Sequence, residues 1–196
     1  MEFVDGLNLH ALLRSLKQSG AALDLGLAAR VVSLACEGLA YAHDFVSPES
    51  GQPMNLIHRD VSTDNIMVAR SGAVKVLDFG IAKVASEDKT CVGTLKGKIA
   101  YMPPEQIRGA DLDRRVDVYA LGVVLYQLVC GCRPYDQTTD VSLIAAILGA
   151  EAVPPLQRRP DLPPELAAII EKAMAPSRDA RYADCRELQD ALEGFV

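Results

Sequence analysis

The sequence lacks the features of disulfide-rich, nucleic-acid-binding and membrane-spanning chains. Its five cysteines are an odd number scattered among apolar segments, which favours reduced thiols over a disulfide framework. The net charge of −6 argues against a nucleic-acid-binding surface. The longest apolar run, residues 118–130, is too short to span a bilayer, and no signal peptide pattern is present. We therefore expect a soluble, cytoplasmic domain with no membrane segment and no nucleic-acid partner.

The spacing of apolar residues predicts a mostly helical α+β chain with a small β element. With 49% hydrophobic residues, a chain of 196 residues is able to bury a core as one domain. Short β-branched runs at residues 55–57, 65–69 and 73–79 predict strands, with a hairpin turn at Ser71 and Gly72. Helical spacing is present in residues 9–20, 23–45, 115–130, 141–148, 164–175 and 180–195.

Between the strands and the later helices, residues 86–109 show neither helical nor strand periodicity. This stretch is rich in glycine, lysine, threonine and proline. Irregular segments of that length inside a compact domain are usually functional. We therefore expect a functional loop next to the β element.

Polar residues cluster around the predicted strands. In the stretch LIHRDVSTDNIMV, Asp60 and Asn65 lie five positions apart between apolar residues, and Asp78 ends the following strand. A carboxylate and an amide oxygen at two strand ends are typical ligands for Mg²⁺ that holds a polyphosphate. Asp60 would then remain available to accept a proton from an attacking hydroxyl. Each of these residues alone is weak evidence for such a site. The prediction rests on all three occurring in this order.

Three ordered motifs, HRDVSTDN, DFG and MPPEQ, resemble the catalytic loop, the metal-binding motif and the end of the activation segment of eukaryotic-type protein kinases. Bacterial serine/threonine members are the subgroup that the sequence resembles. Residues 1–6 are similar to the hinge that binds adenine, and residues 117–135 to the large buried helix beneath the catalytic loop and the segment after it. The resemblance covers the whole chain and implies the C-terminal lobe of a protein kinase fold.

The resemblance implies ATP and Mg²⁺ as cofactors and proteins as substrates. Asp60 would be the catalytic base, and Asn65 and Asp78 would hold Mg²⁺. The backbone of Glu2 and Val4 and the side chain of Met67 would contact adenine.

The resemblance also implies supporting and regulatory residues. Arg59 would bind a phosphorylated activation loop through paired hydrogen bonds, with Thr90 and Thr94 as the candidate phosphorylation sites. The remaining residues would support the site without taking part in chemistry: His58, Phe79, Gly80, Glu105, Asp117 and Arg181. Glu105 and Arg181 would form an ion pair. No role is predicted for His10 and His43, for which solvated or core positions are expected.

The small N-terminal lobe of a kinase is missing from this sequence. No GxGxxG motif occurs, and the only lysine before Asp60 is Lys17, in the polar end of a helix. The resemblance therefore assigns residues 1–196 to the large lobe from the hinge onward. It predicts that this chain alone is nearly inactive, with the small lobe as its missing partner.

Three functions remain in competition. The first is transfer of the ATP γ-phosphate to serine or threonine hydroxyls of proteins. A pseudokinase or protein-docking module is the second, although such a module has no physical need for Asp60, Asn65 and Asp78 together. The third is a small-molecule phosphotransferase of the aminoglycoside kinase type, a family that lacks the long GTLKGKIAYMPPEQ segment.

One pair of residues departs from the family pattern. Most serine/threonine kinases carry a lysine two residues after the catalytic aspartate, where this chain has Ser62. The place of a threonine in the substrate-docking segment is taken by Lys98. We predict that Lys98 reaches back to bring the positive charge near Asp60 and the γ-phosphate, with Ser62 as its hydrogen-bond partner. The alternative is a weakened or dead kinase with a solvated Lys98.

Overall fold

The computed structural model describes residues 4–79 and 97–196, and its sheet has three antiparallel strands in the order β1-β2-β3. These are β1 (Gly6–Asn8), β2 (Ile66–Ala69) and β3 (Val74–Val76). The register pairs Met67 with both Asn8 and Lys75. The β2–β3 hairpin turns through Gly72, whose φ of 87° favours glycine.

Two helices flank the sheet at the start of the chain. Helix α1 (Leu9–Ser19) begins at the Asn8 cap, which accepts a hydrogen bond from the Ala11 N–H, and ends at Gly20 with φ 67°. Helix α2 (Leu25–His43) is long and apolar enough to cross a membrane by length and composition. In this protein it packs against the later helices, and 56% of its apolar window is buried. Packing in the core therefore accounts for its apolar character.

The rest of the described chain is helical around one central element. Helix α4 (Arg115–Cys130) is buried over nearly its whole length and contacts α2. The other helices are α3 (Pro104–Ile107), α5 (Asp140–Leu148), α6 (Pro155–Arg158), α7 (Pro164–Ala173) and α8 (Cys185–Phe195), with 3₁₀ turns at Ile99–Tyr101 and Arg178–Ala180. The predicted mostly helical α+β class is confirmed.

Several local predictions were wrong. Residues 55–57 form no strand, whereas β1 consists of Gly6, the last residue of the predicted hinge, and of Leu7 and Asn8, for which no strand was predicted. The part of the predicted irregular segment that the structure describes contains a 3₁₀ turn and helix α3. The last helix begins at Cys185 rather than Ala180, because the Asp184 side chain caps it by accepting from two backbone N–H groups.

Candidate active site

The loop that carries Asp60 is anchored on the buried carboxylate of Asp117, at the start of α4. Its Oδ1 accepts from the Arg59 N–H (2.9 Å), and its Oδ2 accepts from the His58 N–H (2.9 Å). Gln106 Nε2 donates to the Arg59 carbonyl (3.0 Å). The Arg59 backbone has φ 63°, a conformation that side-chain-bearing residues adopt at a cost. The side chains of α3 and α4 therefore hold a strained backbone immediately before Asp60.

His43 is a third partner of this carboxylate, which sequence reasoning missed. Its Nε2 lies 2.8 Å from Asp117 Oδ2, and both side chains are almost fully buried. Burial lowers the pKa of His43, but the Asp117 carboxylate and then the nearby Cys185 thiol outweigh it and raise the pKa to about 9. The core was one of the two positions expected for His43, but no role was predicted for it, and this charged contact with Asp117 was overlooked. His10, by contrast, is exposed on α1.

Backbone and side-chain bonds bring Asp60, Asn65 and the end of β3 together. Asn65 Nδ2 donates to the Asp60 carbonyl (2.8 Å), and the Leu77 N–H donates to the Asn65 carbonyl (2.8 Å). His58 Nε2 donates to the Leu77 carbonyl (2.8 Å). The residue after Leu77 is Asp78. The three residues that the sequence predicted as base and metal ligands therefore lie at one end of the sheet.

The donor set at this end of the sheet fits Mg²⁺. The amide nitrogen of Asn65 is engaged with Asp60, which leaves its Oδ1 as an acceptor. The Asp78 side chain is exposed, on a backbone with φ 55°. Among the described residues, no group of three or more His, Cys, Asp or Glu side chains forms a complete metal cage. Magnesium is commonly bound by one or two protein ligands together with phosphates and water, so two oxygen donors suffice.

Lys98 lies directly beside Asp60. Its Nζ is 2.6 Å from Asp60 Oδ2, and the two side chains are 33% and 11% exposed. The predicted hydrogen bond between Lys98 and Ser62 was wrong: Ser62 is buried, and its Oγ has no hydrogen-bond partner in the described part of the chain. A carboxylate is a stronger acceptor for an ammonium than a hydroxyl, which accounts for the observed partner.

A second buried network joins the catalytic loop to the segment after Lys98. Thr63 Oγ1 and the Tyr101 hydroxyl are 2.9 Å apart, and the Tyr101 hydroxyl donates to Gln127 Oε1 (2.6 Å). Burial raises the pKa of Tyr101, so the phenol remains protonated and able to donate at neutral pH. No sequence pattern predicted this network, because its members lie on three separate elements.

Arg181 and Glu105, which were predicted to form an ion pair, do so through two hydrogen bonds. Arg181 Nη1 and Nη2 lie 2.6 and 2.9 Å from the two carboxylate oxygens. The guanidinium also donates to three backbone carbonyls, those of Ala175, Pro176 and Arg115. The pair attaches α3 to the 3₁₀ turn that precedes α8.

The other sequence-predicted residues have varied positions. The rings of His58 and Phe79 pack with their centroids 4.7 Å apart. Val4 and Met67 are half-buried, and their contacts with adenine stay a prediction. Arg59 Nε is buried without a hydrogen-bond partner among the described residues. Glu2, Gly80, Thr90 and Thr94 lie outside the residues that the structure describes.

Comparisons with known proteins agree with this geometry. A family model described as "Protein kinase domain" matches residues 1–192. The Myxococcus xanthus protein named Tyrosine-protein kinase MasK is 44% identical over 100% of this chain and 30% of its own length. Serine/threonine-protein kinase PknB of Mycolicibacterium smegmatis is 34% identical over 98% of this chain and 29% of its own length. The predicted resemblance to bacterial members of the family is confirmed.

A solved structure gives the same result for the fold. The kinase domain of Mycobacterium tuberculosis PknI superposes with a TM-score of 0.71 and 27% identity, over 100% of this chain and 65% of that domain. The predicted kinase-like architecture is therefore confirmed. The chain spans about 30% of the length of the relatives and about two thirds of a kinase domain.

Proposed function

Because the chain belongs to the protein kinase family, we propose that the protein containing it transfers the γ-phosphate of ATP to hydroxyl groups of protein substrates. The observation that carries this proposal is the position of Asp60. Its flanking backbone is held by Asp117 and Asn65, and its carboxylate faces the Lys98 ammonium at 2.6 Å. A preorganised carboxylate beside a cation is what phosphoryl transfer needs of the protein.

In this scheme Asp60 accepts the proton of the substrate hydroxyl as that oxygen attacks. The Lys98 ammonium contacts the Asp60 carboxylate and supplies positive charge close to the attacking oxygen. Asn65 Oδ1 and the Asp78 carboxylate would hold Mg²⁺, which, when bound with ATP, neutralises the charge of the phosphates. The bonds from Asp117 and Gln106 to Arg59 keep the loop in position throughout.

We propose serine and threonine as the acceptors, as in the relatives named serine/threonine-protein kinase. Tyrosine is the second candidate, because the relative that is 44% identical is named a tyrosine-protein kinase. The replacement of the usual lysine by Ser62 also separates this loop from the serine/threonine pattern. Phosphoamino-acid analysis of the labelled product distinguishes the two acceptor classes.

The test uses a small-lobe fusion, in which the small lobe of the Myxococcus xanthus relative precedes Val4 of this chain. We expect the fusion to transfer label from ATP to protein substrates, and Asp60→Asn to lower kcat by about 10²–10⁴-fold. Asp64→Asn, four positions away on the same loop, is the matched control and should retain turnover. A folded fusion that binds ATP but transfers no phosphate would instead support the pseudokinase alternative.

A further inference from the structure

Arg133 is an exposed cation beside the segment that carries Lys98. It makes no hydrogen bond or ion pair in the part of the chain that the structure describes, and its Nη2 lies 3.5 Å from the position that a Cβ on Gly97 would occupy. Because Gly97 has no side chain, the guanidinium lies against the backbone immediately before Lys98. An arginine with no partner among the described residues therefore lies next to the backbone that leads into Lys98, whose ammonium contacts Asp60.

The loop that carries Arg133 is firmly supported. It begins at Gly131, which ends α4 with φ 70°, and continues into the buried residues Pro134 and Tyr135. The Pro134 carbonyl accepts from the Val153 N–H (2.8 Å), and the Tyr135 hydroxyl lies 2.8 Å from that of Tyr119. Rigid support reduces the entropy lost when an exposed side chain binds a partner.

The neighbouring charges leave Arg133 available. Asp60 is engaged by Lys98, and Asp136, three residues after Arg133, is engaged by Arg158. The charges of Arg133 and, more weakly, of the exposed Asp64 both act on the buried Tyr101 phenol, in opposite directions. Arg133 therefore contributes positive charge near Tyr101, and Asp64 is the opposing carboxylate nearby.

We propose that Arg133 binds an acidic side chain of the protein substrate, a few residues from the acceptor hydroxyl. A guanidinium presents paired N–H donors that match the two oxygens of a carboxylate. This inference rests on the proposed function and adds the substrate class: peptides with Asp or Glu at one position near the acceptor.

The experiment scans peptides that carry either Asp or the neutral isostere Asn at each of the positions flanking the acceptor, with the small-lobe fusion as enzyme. At one position we expect Asp to lower KM about fivefold relative to Asn, with little change in kcat, as for an exposed ion pair. Arg133→Gln should abolish that preference, Arg133→Lys should retain part of it, and Arg133→Glu should favour Lys at the same position.

Two controls make the result specific. Arg30→Gln removes the same charge on α2, at its exposed pair with Glu193, and should leave the preference unchanged. Asp64→Asn should keep or increase the preference, because it removes the opposing charge. A preference that survives Arg133→Gln, or equal KM values at every position, would overturn the inference while leaving phosphotransfer intact.

Direct binding separates this inference from the proposed function. If the fusion phosphorylates no peptide, the proposed function fails, and fluorescence anisotropy of the Asp and Asn peptides with residues 1–196 decides the role of Arg133. Weaker binding of an Asp peptide to Arg133→Gln than to the parent supports it. Identical binding of both peptides to parent and variant rejects it.

Discussion

The Lys98 ammonium lies 2.6 Å from Asp60 Oδ2, although the two residues are 38 positions apart in the sequence. Most serine/threonine kinases place a lysine beside the catalytic aspartate from the position two residues after it, where this chain has Ser62. Here Lys98, from a later part of the chain, lies in that place. The Ser62 hydroxyl is buried with no hydrogen-bond partner in the described part of the chain, whereas the Lys98 ammonium contacts the Asp60 carboxylate.

We predict that Lys98→Ala in the small-lobe fusion lowers kcat by about 10–1000-fold, the range for loss of one preorganised charge at the transition state. Steady-state kinetics with saturating ATP measures this effect. Lys17→Ala, on the exposed side of α1, is the matched control and should leave kcat unchanged. A kcat for Lys98→Ala within twofold of the parent would show that Lys98 has no catalytic role.

Substitutions at positions 62 and 98 provide a second test of the role of Lys98 beside Asp60. Ser62→Lys alone should not raise kcat, because it places a second ammonium in a buried position beside Lys98. Ser62→Lys combined with Lys98→Thr restores the usual family arrangement and should recover activity relative to Lys98→Ala. Failure of the double variant to exceed Lys98→Ala, with folding intact, would argue against an exchange of roles.

The buried contact between His43 and Asp117 predicts a pH-dependent stability. The pKa of His43 is raised from 6.5 to about 9, so protonated His43 stabilises the folded state fully below pH 6.5 and loses this effect as pH rises to about 9. The contribution is on the order of 3 kcal/mol. Urea unfolding of the chain between pH 6 and 9 measures the decline in the free energy of unfolding.

His43→Gln should be less stable than the parent at pH 6.5, with the difference narrowing toward pH 9. His10→Gln, a change at an exposed position on α1, should follow the parent curve. If the parent and His43→Gln show parallel pH curves, His43 does not titrate in the proposed range.

Helices and strands whose ends are set by neighbouring residues could be predicted from the sequence. Helix α4 was predicted with its observed bounds, because apolar residues fill it and Gly131 ends it. His43 and Tyr101 could not be assigned, since their partners, Asp117 and Gln127, lie on α4, far along the chain. A periodic pattern identifies a buried face but carries no information about which polar group on another element lies opposite.

The prediction for Arg59 concerns regulation. Arg59 Nε is buried without a partner among the described residues, and a phosphate on Thr94 would provide acceptors for charge-assisted bonds. We expect Thr94→Ala to lower the activity of the small-lobe fusion by about fivefold or more. The activity of Thr90→Ala, a change at the other candidate phosphorylation site, is measured for comparison. Mass spectrometry establishes which threonine carries phosphate, and unchanged activity with neither threonine phosphorylated would contradict the prediction.

Residues 1–196 alone should bind ATP weakly and turn over very slowly. The sequence contains no glycine-rich phosphate loop, and Lys17, its only lysine before Asp60, is exposed on α1. Water is therefore not excluded from the phosphates. Titration with a fluorescent ATP analogue, with the small-lobe fusion as the comparison, measures the difference. Micromolar affinity or robust turnover by residues 1–196 would contradict this prediction.

The ion pair between Arg181 and Glu105 should be essential for stability. The Arg181 side chain is fully buried, and that of Glu105 is 12% exposed, so removal of either partner leaves a buried charge without its counterion. We expect Arg181→Ala to lower the free energy of unfolding by about 3–5 kcal/mol. Urea unfolding monitored by circular dichroism measures this change.

Two variants test whether the buried ion pair of Arg181 causes this loss of stability. Arg181→Lys should recover only part of it, because a lysine keeps the charge but not the paired donors that meet Glu105 and the three backbone carbonyls. Arg186→Ala breaks the exposed pair with Asp44 and should cost less than about 1 kcal/mol, because solvent screens exposed pairs. If Arg181→Ala costs no more than Arg186→Ala, the attachment of α3 to the end of the chain does not depend on this pair. The segment that carries Lys98 and Tyr101 would then be held by the Thr63–Tyr101–Gln127 network and by the Lys98–Asp60 contact, without a contribution from this pair.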